Sequence, residues 1–471
     1  MKQQRFRYRI LTLVIIGFLG VAGLYGIYSV STYGNRWFAN ANNIRYRAAK
    51  SNVIAGNILD RNGVVLASTN SEGERVYQAD KQSRSSTVHL LGDVKGYIAN
   101  GVESFQANYL YGFETSLSER ISALIKGEAR RGDNVQLTID SRLHTVIVNL
   151  FQQQTASGRG AAVVMNYLTG EVLALVSLPV FDPHQLDDSV KNNPDHLFFN
   201  RATQSILAPG STFKIVTAVA AIDNIEHVLN STFNCTGATP VMHLKIHDYN
   251  QEKHGPITLE DAFRLSCNNT FAQIALMIGD NKLRKTAEQF GFNNNFLFRD
   301  IVVENGIYPK ENRNDIEIAW SGAGQSRVAT TPFHMCLVSA AIANSGEMME
   351  PRLLKKVTSP SGLMRLDYSQ NRYMRVTTKE NATLIEEWMK EVVARGTGTN
   401  AKVKGVTVAG KTGSAESTMK GKPVTHAWFT GFITNRAYPY AVCVMDEEGG
   451  SGGKVAAPIA GDILGWLLAH Q

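Results

Sequence analysis

Residues 211–214 place a hydroxyl and an amine three positions apart, in the segment Ser211-Thr212-Phe213-Lys214. On a helix, side chains at i and i+3 share a face, so these two groups can meet. A nucleophilic serine needs a base, and a desolvated lysine can act as one. Because Pro209-Gly210 comes just before, we expect Ser211 at a helix N-terminus, where free backbone N–H groups favour a developing negative charge. This spacing suits acyl transfer, although a long chain contains several Ser-x-x-Lys segments by chance.

Two further short segments carry polar groups of the same kind. Ser266-Cys267-Asn268 lies between two helical patterns, and Lys411-Thr412-Gly413 follows the apolar run 406–409. Taken alone, each is a weak signal, and an ordinary turn explains the first one better. In this order, however, Ser-x-x-Lys, Ser-x-Asn and Lys-Thr-Gly form the motif set of penicillin-binding proteins and class A β-lactamases.

The chain resembles the class B penicillin-binding proteins well beyond these motifs. The resemblance is close over residues 156–471, fair over 52–70 and loose over 70–130. It is similar to the shorter members, which lack additional C-terminal sensor domains. The further segments that carry the resemblance are 56–67, 169–174, 179–183, 200–204, 331–333, 343–346 and 426–432.

The resemblance implies a fold and a reaction. The fold is mixed α and β, with an antiparallel five-stranded sheet flanked by helices, preceded by a single transmembrane helix and a small β-rich pedestal. The reaction is D,D-transpeptidation, which cross-links peptidoglycan stem peptides ending in D-Ala-D-Ala through a serine acyl-enzyme and is inhibited by β-lactam antibiotics. No cofactor is implied. Class B relatives work with a polytopic glycan polymerase of the shape, elongation, division and sporulation family.

The resemblance also implies a role for each motif residue. Ser211 would attack the carbonyl between the two D-Ala residues, and Lys214 would take its proton. Ser266 would relay a proton to the leaving amine, while Asn268 would hold Lys214 and the substrate amide. The catalytic set is Ser211, Lys214, Ser266, Asn268 and Lys411, and the substrate-binding segment is Thr412, Gly413 and Ser414.

The last motif would handle the charges of the substrate. Lys411 would supply positive potential, and the hydroxyls of Thr412 and Ser414 would bind the terminal carboxylate. The backbone N–H groups of Ser211 and Ser414 would form the oxyanion hole. Position 414 is Ser where many relatives have Thr, which keeps the hydroxyl, and we expect Cys267 to point inward.

Elements that position these residues are visible in the hydrophobic pattern. Asn62-Gly63 between two apolar runs predicts a hairpin over 56–67. Runs at 161–165 and 171–177 predict an antiparallel pair with a buried face. Further strands are predicted at 132–140, 406–409, 426–433 and 440–445, and helices at 141–155, 211–222, 258 onward, 281–290, 332–344, 378–395 and 456–469. Helices between early and late strands indicate one antiparallel sheet covered by helices.

The N-terminal region carries the whole excess of positive charge. Eight of the 48 basic residues precede Asp60, the first acidic residue, so the remainder has 40 basic against 41 acidic side chains. A nucleic-acid binder carries its excess charge on the folded domain, so this function is not expected. Ile10 to Tyr28 contains no charge and is near the ~20 residues that cross a bilayer as a helix. A cleaved signal peptide is the less favoured interpretation.

These observations divide the chain into four parts. Residues 1–9 are predicted to be a cytoplasmic tail, 10–28 a transmembrane anchor, 29–155 the pedestal, and 156–471 the transpeptidase domain. Charge alone orients the anchor only slightly, because basic residues flank both of its ends. The implied substrate lies outside the cytoplasm, which puts the catalytic domain outside the cell membrane.

The four cysteines, Cys235, Cys267, Cys336 and Cys443, do not have the spacing of a metal site. We therefore expect no metal, and buried free thiols with one disulfide as the alternative. For His426, a place in the cleft and a packed structural position are equally compatible with the sequence. A turn-stabilising role is expected for residues 60–62.

Two other function classes remain open. A D,D-carboxypeptidase or β-lactamase of the same fold would use water as the acyl acceptor, but small hydrolases usually lack an anchor and a pedestal. A β-lactam sensor or a scaffold would be non-enzymatic. A scaffold need not retain all the motif residues, and a sensor needs more than nine residues inside the cell.

Overall fold

The computed structural model describes residues 2–38 and 53–470, except for residues 94, 99, 114, 116–118, 120, 122–124, 126, 128, 312, 368 and 420. Numbered along this part of the chain, the helices are α1 (Lys2–Phe38), α2 (Lys81–Ser86), α3 (Val88–Leu91), α4 (Val102–Phe105), α5 (Ala107–Leu110), α6 (Ser141–Gln154), α7 (Asp188–Lys191), α8 (Arg201–Gln204), α9 (Lys214–Asn224), α10 (Leu259–Leu265), α11 (Asn268–Ile278), α12 (Asp280–Gln289), α13 (Asp315–Gly322), α14 (Pro332–Ala343), α15 (Lys379–Arg395) and α16 (Ala456–Ala469).

The strands, numbered in the same way, are β1 (Ile58–Leu59), β2 (Val65–Thr69), β3 (Arg75–Tyr77), β4 (Asn134–Leu137), β5 (Gly160–Asn166), β6 (Val172–Leu178), β7 (Thr232–Cys235), β8 (Ala238–Val241), β9 (Leu244–His247), β10 (Gly255–Thr258), β11 (Glu347–Met349), β12 (Leu354–Thr358), β13 (Met364–Asp367), β14 (Arg372–Arg375), β15 (Val408–Met419), β16 (Lys422–Ile433) and β17 (Tyr440–Asp446). The same described residues contain four short 3₁₀ segments, Gly210–Phe213, Val228–Asn230, Tyr249–Gln251 and Thr399–Ala401.

Helix α1 contains the predicted anchor and extends beyond it. The stretch Arg5–Ser29 is long and apolar enough to cross a membrane, and it is not buried against the rest of the protein. One N-terminal apolar helix is consistent with a single-pass membrane anchor. The predicted connector was placed too early, because the helix continues past Tyr28 to Phe38. The remainder of that connector lies outside the described residues.

The predicted five-stranded antiparallel sheet is present, in the order β15-β16-β17-β5-β6. Strand β5 is buried on both of its faces, which explains its continuous apolar run. Alternate residues point to opposite layers: Val163 packs in one core cluster, and Ala162 and Val164 pack in another. Helix α14 covers the first face, while α6 and α16 cover the second.

Strands β15 and β16 are longer than the sequence pattern predicts. The prediction of 406–409 was wrong: β15 runs through the third motif to Met419, and its pairing with β16 begins at Val408↔Ile433 and ends at Met419↔Lys422. The outer half of this hairpin lacks an apolar face, and it contains the polar run Glu416-Ser417-Thr418. Its backbone hydrogen bonds come from the partner strand, so no local periodicity reveals it.

A second, six-stranded sheet has the order β13-β12-β4-β1-β2-β3. The predicted hairpin forms its β1–β2 pair, with Ile58 opposite Ala67. Strand β12 pairs with β4, with Val357 opposite Val135, so this sheet combines segments that are far apart in sequence. The domain boundary after residue 155 stays a prediction. Strands β12 and β13, from the later part of the chain, complete the six-stranded sheet, while helix α6, from before the boundary, packs on the five-stranded sheet.

Asp60 connects the β1–β2 turn to helix α6. It is fully buried, and its Oδ1 accepts hydrogen bonds from the backbone N–H groups of Asn62 (2.8 Å) and Val64 (2.9 Å). Its Oδ2 accepts from the Ser141 hydroxyl (2.8 Å) and the Ser141 N–H (3.3 Å). The predicted turn role of Asp60 is confirmed, and the same carboxylate also binds the first turn of α6.

Replacing Asp60 with Ala should lower the free energy of unfolding by about 2–3 kcal/mol, because the turn loses its acceptor and the buried donors of Ser141 are left without one. Asn70 is the matched control, since its Oδ1 accepts from Glu72 N (3.0 Å) and Glu74 N (2.8 Å) in a more exposed turn. Asn70→Ala should cost less than about 1 kcal/mol. Urea denaturation of the detergent-solubilised chain measures both values, and equal losses would contradict the assignment.

Candidate active site

Ser211 lies in the 3₁₀ turn Gly210–Phe213, which leads directly into α9. Side chains at i and i+3 eclipse in a 3₁₀ helix, so the turn brings Ser211 and Lys214 onto one side. The Lys214 N–H donates to the Ser211 carbonyl. Gly210 has φ +54°, and a Cβ there would lie 3.0 Å from the Ser414 carbonyl oxygen. A glycine therefore lets this turn approach β15 closely.

The Lys214 ammonium is the centre of the site. The side chain is fully buried, and its Nζ donates to the Ser266 carbonyl (2.6 Å) and to Asn268 Oδ1 (2.7 Å). The ring of Phe271 lies 5.3 Å from Nζ. Burial favours the neutral amine and lowers the pKa of Lys214 to about 8. A lysine with such a pKa can accept a proton near neutral pH.

Ser266 is aimed into the site by an unusual backbone conformation. It ends helix α10 with φ 61° and ψ 35°, a left-handed conformation that is costly for a residue with a Cβ. Two residues later, Asn268 begins helix α11, with Cys267 as its N-cap. As expected, Cys267 points inward and is fully buried. This tight link between two helices directs the groups on either side of Cys267 toward Lys214.

Lys411 reaches the same point from strand β15. It is fully buried, and its Nζ donates to Ser266 Oγ (2.9 Å) and to the Thr412 carbonyl (3.1 Å). The Ser266 hydroxyl therefore lies between two lysines, with Lys214 Nζ 3.4 Å away. Burial, followed by repulsion from the charge of Lys214, holds the pKa of Lys411 well below its ordinary value.

The rest of the third motif lies against the nucleophile turn. A Cβ on Gly413 would come within 2.8 Å of the Pro209 carbonyl oxygen, so glycine permits this contact. The Thr412 hydroxyl is 2.5 Å from that of Thr397, and the exposed Ser414 Oγ accepts from the Gly452 N–H (3.2 Å). The fold thus brings all eight predicted site residues to one place, formed by the 3₁₀ turn, the α10–α11 link and β15.

Two neighbours of the site, Asp248 and Gln325, were not predicted from the sequence because no local motif contains them. Asp248 Oδ1 accepts from the Asn268 N–H and from the Asn269 N–H (3.3 Å). Gln325 donates to the Ser414 carbonyl at 3.5 Å. Their positions depend on loops that return to the site from far along the chain.

His426 is fully buried, and its Nδ1 accepts from the Glu448 N–H at 3.3 Å. It lies on β16 opposite Ala415 of β15. Burial lowers its pKa. Of the two interpretations left open by the sequence, the geometry favours the packed structural position.

Comparison with known proteins gives consistent matches. The family model of the penicillin binding protein transpeptidase domain matches residues 160–465. The chain is 28% identical over 390 residues to the peptidoglycan D,D-transpeptidase PbpA of Mycolicibacterium smegmatis, a match that covers 77% of this chain and 78% of that protein.

Solved structures resemble the fold over most of its length. The imipenem acyl-enzyme of penicillin-binding protein A from M. tuberculosis has a TM-score of 0.80 at 26% identity, and the match covers 89% of this chain and 100% of that one. The penicillin G acyl-enzyme of the same protein has a TM-score of 0.78 at 26% identity, with 88% and 100% covered.

The rate at which a fluorescent penicillin acylates the protein should depend on the protonation of Lys214. With a pKa of about 8, about 1% of the amine is neutral at pH 6 and about half at pH 8, so the rate should rise about 50-fold and level off at higher pH. Stopped-flow measurement of acylation checks the profile. Lys422→Ala, which removes an exposed lysine at the tip of the β15–β16 hairpin, should retain it. A flat profile in the wild type would exclude Lys214 as the base.

Proposed function

The chain belongs to the penicillin-binding protein transpeptidase family, and we propose from this premise that Ser211 is the nucleophile with which it cross-links peptidoglycan. The protein is a serine-type D,D-transpeptidase of class B that β-lactam antibiotics acylate. The observation that carries the residue assignment is the buried amine of Lys214, which contacts Ser266 and Asn268 and lies three residues after Ser211. Burial lowers the pKa of Lys214 to about 8, which suits a base that works near neutral pH.

In the acylation step, the neutral Lys214 amine takes the proton of Ser211 as the hydroxyl attacks the carbonyl between the two D-Ala residues. The proton then passes through Ser266 Oγ to the leaving amine, and one D-Ala departs. Ser266 suits this relay because its hydroxyl is within 3.4 Å of Lys214 Nζ and 2.9 Å of Lys411 Nζ. Asn268 holds the lysine by accepting from it at 2.7 Å.

Strand β15 supplies the groups that bind the negatively charged end of the substrate. Lys411 supplies positive potential from a water-excluded position, and the hydroxyls of Thr412 and Ser414 bind the terminal carboxylate. The backbone N–H groups of Ser211 and Ser414 form the oxyanion hole. Removing one such donor typically lowers the rate by ~10²–10³. The amine of a neighbouring stem peptide then attacks the acyl-enzyme and restores Ser211.

The residue assignment is tested by replacing Ser211 with Ala. This variant should lose all covalent labelling by a fluorescent penicillin, whereas Ser189→Ala, at an exposed serine of α7, should label like the wild type. In-gel fluorescence with circular dichroism as the folding control provides the measurement. Equal labelling of wild type and Ser211→Ala would overturn the assignment.

Incubation of the wild type with lipid-linked peptidoglycan, followed by mass spectrometry, should show cross-linked dimers, and free tetrapeptide without dimers would indicate a carboxypeptidase.

The topology follows from the substrate. With residues 1–9 in the cytoplasm and residues 10–28, inside the apolar stretch of α1, across the cell membrane, the catalytic domain lies outside, where peptidoglycan is assembled. Basic residues close to the membrane are attracted to anionic lipid head groups. Four of them, Lys2, Arg5, Arg7 and Arg9, precede the apolar run.

The partner we propose is a polytopic glycan polymerase that contacts α1. In the described structure, Gly23 and Gly26 have open space where a Cβ would be, and they are spaced i and i+3. Small residues at this spacing let a second transmembrane helix approach closely.

Replacing both Gly23 and Gly26 with Leu should weaken co-purification with the polymerase in detergent by about tenfold, because bulky side chains prevent close helix packing. Val21 is the matched control, since 3.6 residues per turn put it on the opposite face, where its side chain is exposed. Val21→Phe should leave the amount of recovered polymerase unchanged. Unchanged recovery with the double variant would remove the glycine face while leaving the enzyme assignment intact.

A further inference from the structure

A threonine outside the three motifs contacts the third motif through its hydroxyl. The Oγ1 atom of Thr397 lies 2.5 Å from the Oγ1 atom of Thr412, at the short end of the range for two hydroxyls. Thr397 is exposed, whereas Thr412 is buried on β15. Among the residues that the structure describes, neither hydroxyl has another hydrogen-bond partner. The two hydroxyls therefore form an isolated pair beside the segment to which we assign the substrate carboxylate.

Two glycines let the chain turn around Thr397 at the end of α15. The Gly396 N–H and the Gly398 N–H both donate to the Val392 carbonyl, at 3.1 and 3.0 Å. A Cβ on Gly396 would lie 2.6 Å from the carbonyl oxygen of Arg264, in the last turn of α10. The turn that carries Thr397 is therefore packed against the helix that leads into the second motif.

The backbone of Thr397 also faces the loop between β17 and α16. A Cβ on Gly453 would come within 2.5 Å of the Thr397 carbonyl oxygen and 3.9 Å of Thr412 Cγ2. The Asn400 side chain donates to the Gly453 carbonyl at 2.8 Å, which joins this loop to the segment after α15. Backbone contacts on two sides therefore define the position of Thr397, although its side chain is exposed.

The two hydroxyls carry two protons but share one hydrogen bond. Each threonine hydroxyl has one proton and two acceptor lone pairs, so one proton lies between the two oxygens and the other is left over. If Thr412 donates to Thr397, the Thr412 proton is used inside the protein. If Thr397 donates to Thr412, the Thr412 proton is available to the substrate. An ionised carboxylate only accepts hydrogen bonds, so its binding to Thr412 selects the second arrangement.

The other hydroxyl of this segment is arranged in a parallel way. Ser414 Oγ accepts from the Gly452 N–H at 3.2 Å, so its own proton also remains available. A backbone N–H can only donate, which fixes the direction of that hydrogen bond. Thr397 occupies the same place relative to Thr412 as the Gly452 N–H does relative to Ser414. The parallel favours Thr397 as the donor.

We propose that Thr397 is a positioning residue for recognition of the substrate carboxylate. It donates to Thr412 Oγ1 and turns the Thr412 proton toward the terminal carboxylate of the stem peptide. This role rests on the proposed function, in which Thr412 binds that carboxylate. Hydrogen bonds in a chain polarise one another, so the donation also strengthens the bond from Thr412 to the carboxylate. Thr397 acts through Thr412 and takes no part in bond formation.

A pair of thioester substrates tests this role. Both contain N-acyl-D-Ala, and the leaving group is either mercaptoacetate, which presents a carboxylate, or the neutral mercaptoacetamide. In the full chain in detergent, Thr397→Val should lower the ratio of kcat/KM for the carboxylate substrate over the amide about tenfold. Loss of thioester absorbance measures both rates. Thr397→Ser keeps the hydroxyl and should retain the wild-type ratio. Equal losses with both substrates would indicate a merely structural role and overturn the proposal.

Thr383→Val is the matched control. Thr383 is an exposed threonine of α15 whose hydroxyl donates to the Lys379 carbonyl at 2.9 Å, away from the motif segments. This variant should have the same ratio of kcat/KM as the wild type. A reduced ratio in Thr383→Val would show that any change in α15 affects the site, and it would contradict a specific role for Thr397.

A double-mutant cycle shows whether Thr397 acts through Thr412. If it does, Thr397→Val should have little further effect on the carboxylate substrate once Thr412→Val has removed the bonding hydroxyl. Losses that multiply in the double variant would mean that Thr397 works independently, and they would overturn the relay. The cycle uses the carboxylate substrate alone, so it decides the question even where the neutral amide reacts slowly.

The labelling of Ser211 separates this role from the proposed function. If Ser211→Ala retained covalent labelling by a fluorescent penicillin, the proposed function would fail. If labelling requires Ser211 and Thr397→Val still has the wild-type ratio of kcat/KM, only the role of Thr397 fails.

Discussion

The chemistry of this protein depends on keeping one lysine amine out of water. Lys214 is fully buried, and its Nζ contacts the Ser266 carbonyl and Asn268 Oδ1. Carbonyl acceptors hold the amine in place without a paired carboxylate to keep it charged, so desolvation dominates and the pKa falls to about 8. A carboxylate in direct contact would reverse this effect. The base therefore exists because the described residues around it exclude water and place no carboxylate in direct contact with the amine.

Three segments surround this amine, and each has a backbone conformation or a close contact that depends on particular residues. The 3₁₀ turn before α9 brings Ser211 beside β15, with Gly210 and Gly413 at the closest approaches. The α10–α11 link holds Ser266 in a left-handed conformation. Strand β15 adds Lys411 on the far side of the Ser266 hydroxyl. The strain of the link is compatible with folding because helices on both sides, and the hydrogen bonds of Asp248 to α11, determine its backbone.

The two sheets do not correspond to two consecutive parts of the chain. Strand β12 crosses into the pedestal sheet beside β4, while α6 leaves the N-terminal region to cover the five-stranded sheet. Asp60 joins the two arrangements by accepting hydrogen bonds from the β1–β2 turn and from Ser141 at the start of α6. These crossings connect the pedestal to the domain that contains Ser211 through buried contacts, in addition to the covalent chain.

The sequence by itself determined the motif residues, the apolar anchor, the β5–β6 pair and most of the longer helices, because period, turn chemistry and helix capping are local properties. The C-terminal helix, for example, has the predicted bounds Ala456–Ala469. Only the tertiary structure decided the full length of β15, the pairing of β12 with β4, and the meeting of Cys235 with Cys267. Each of these depends on a partner segment that local patterns do not encode. Cys235 and Cys267 are separated by more than thirty positions along the chain, yet their side chains lie within 4.8 Å of each other, a proximity that appears only after the chain has folded.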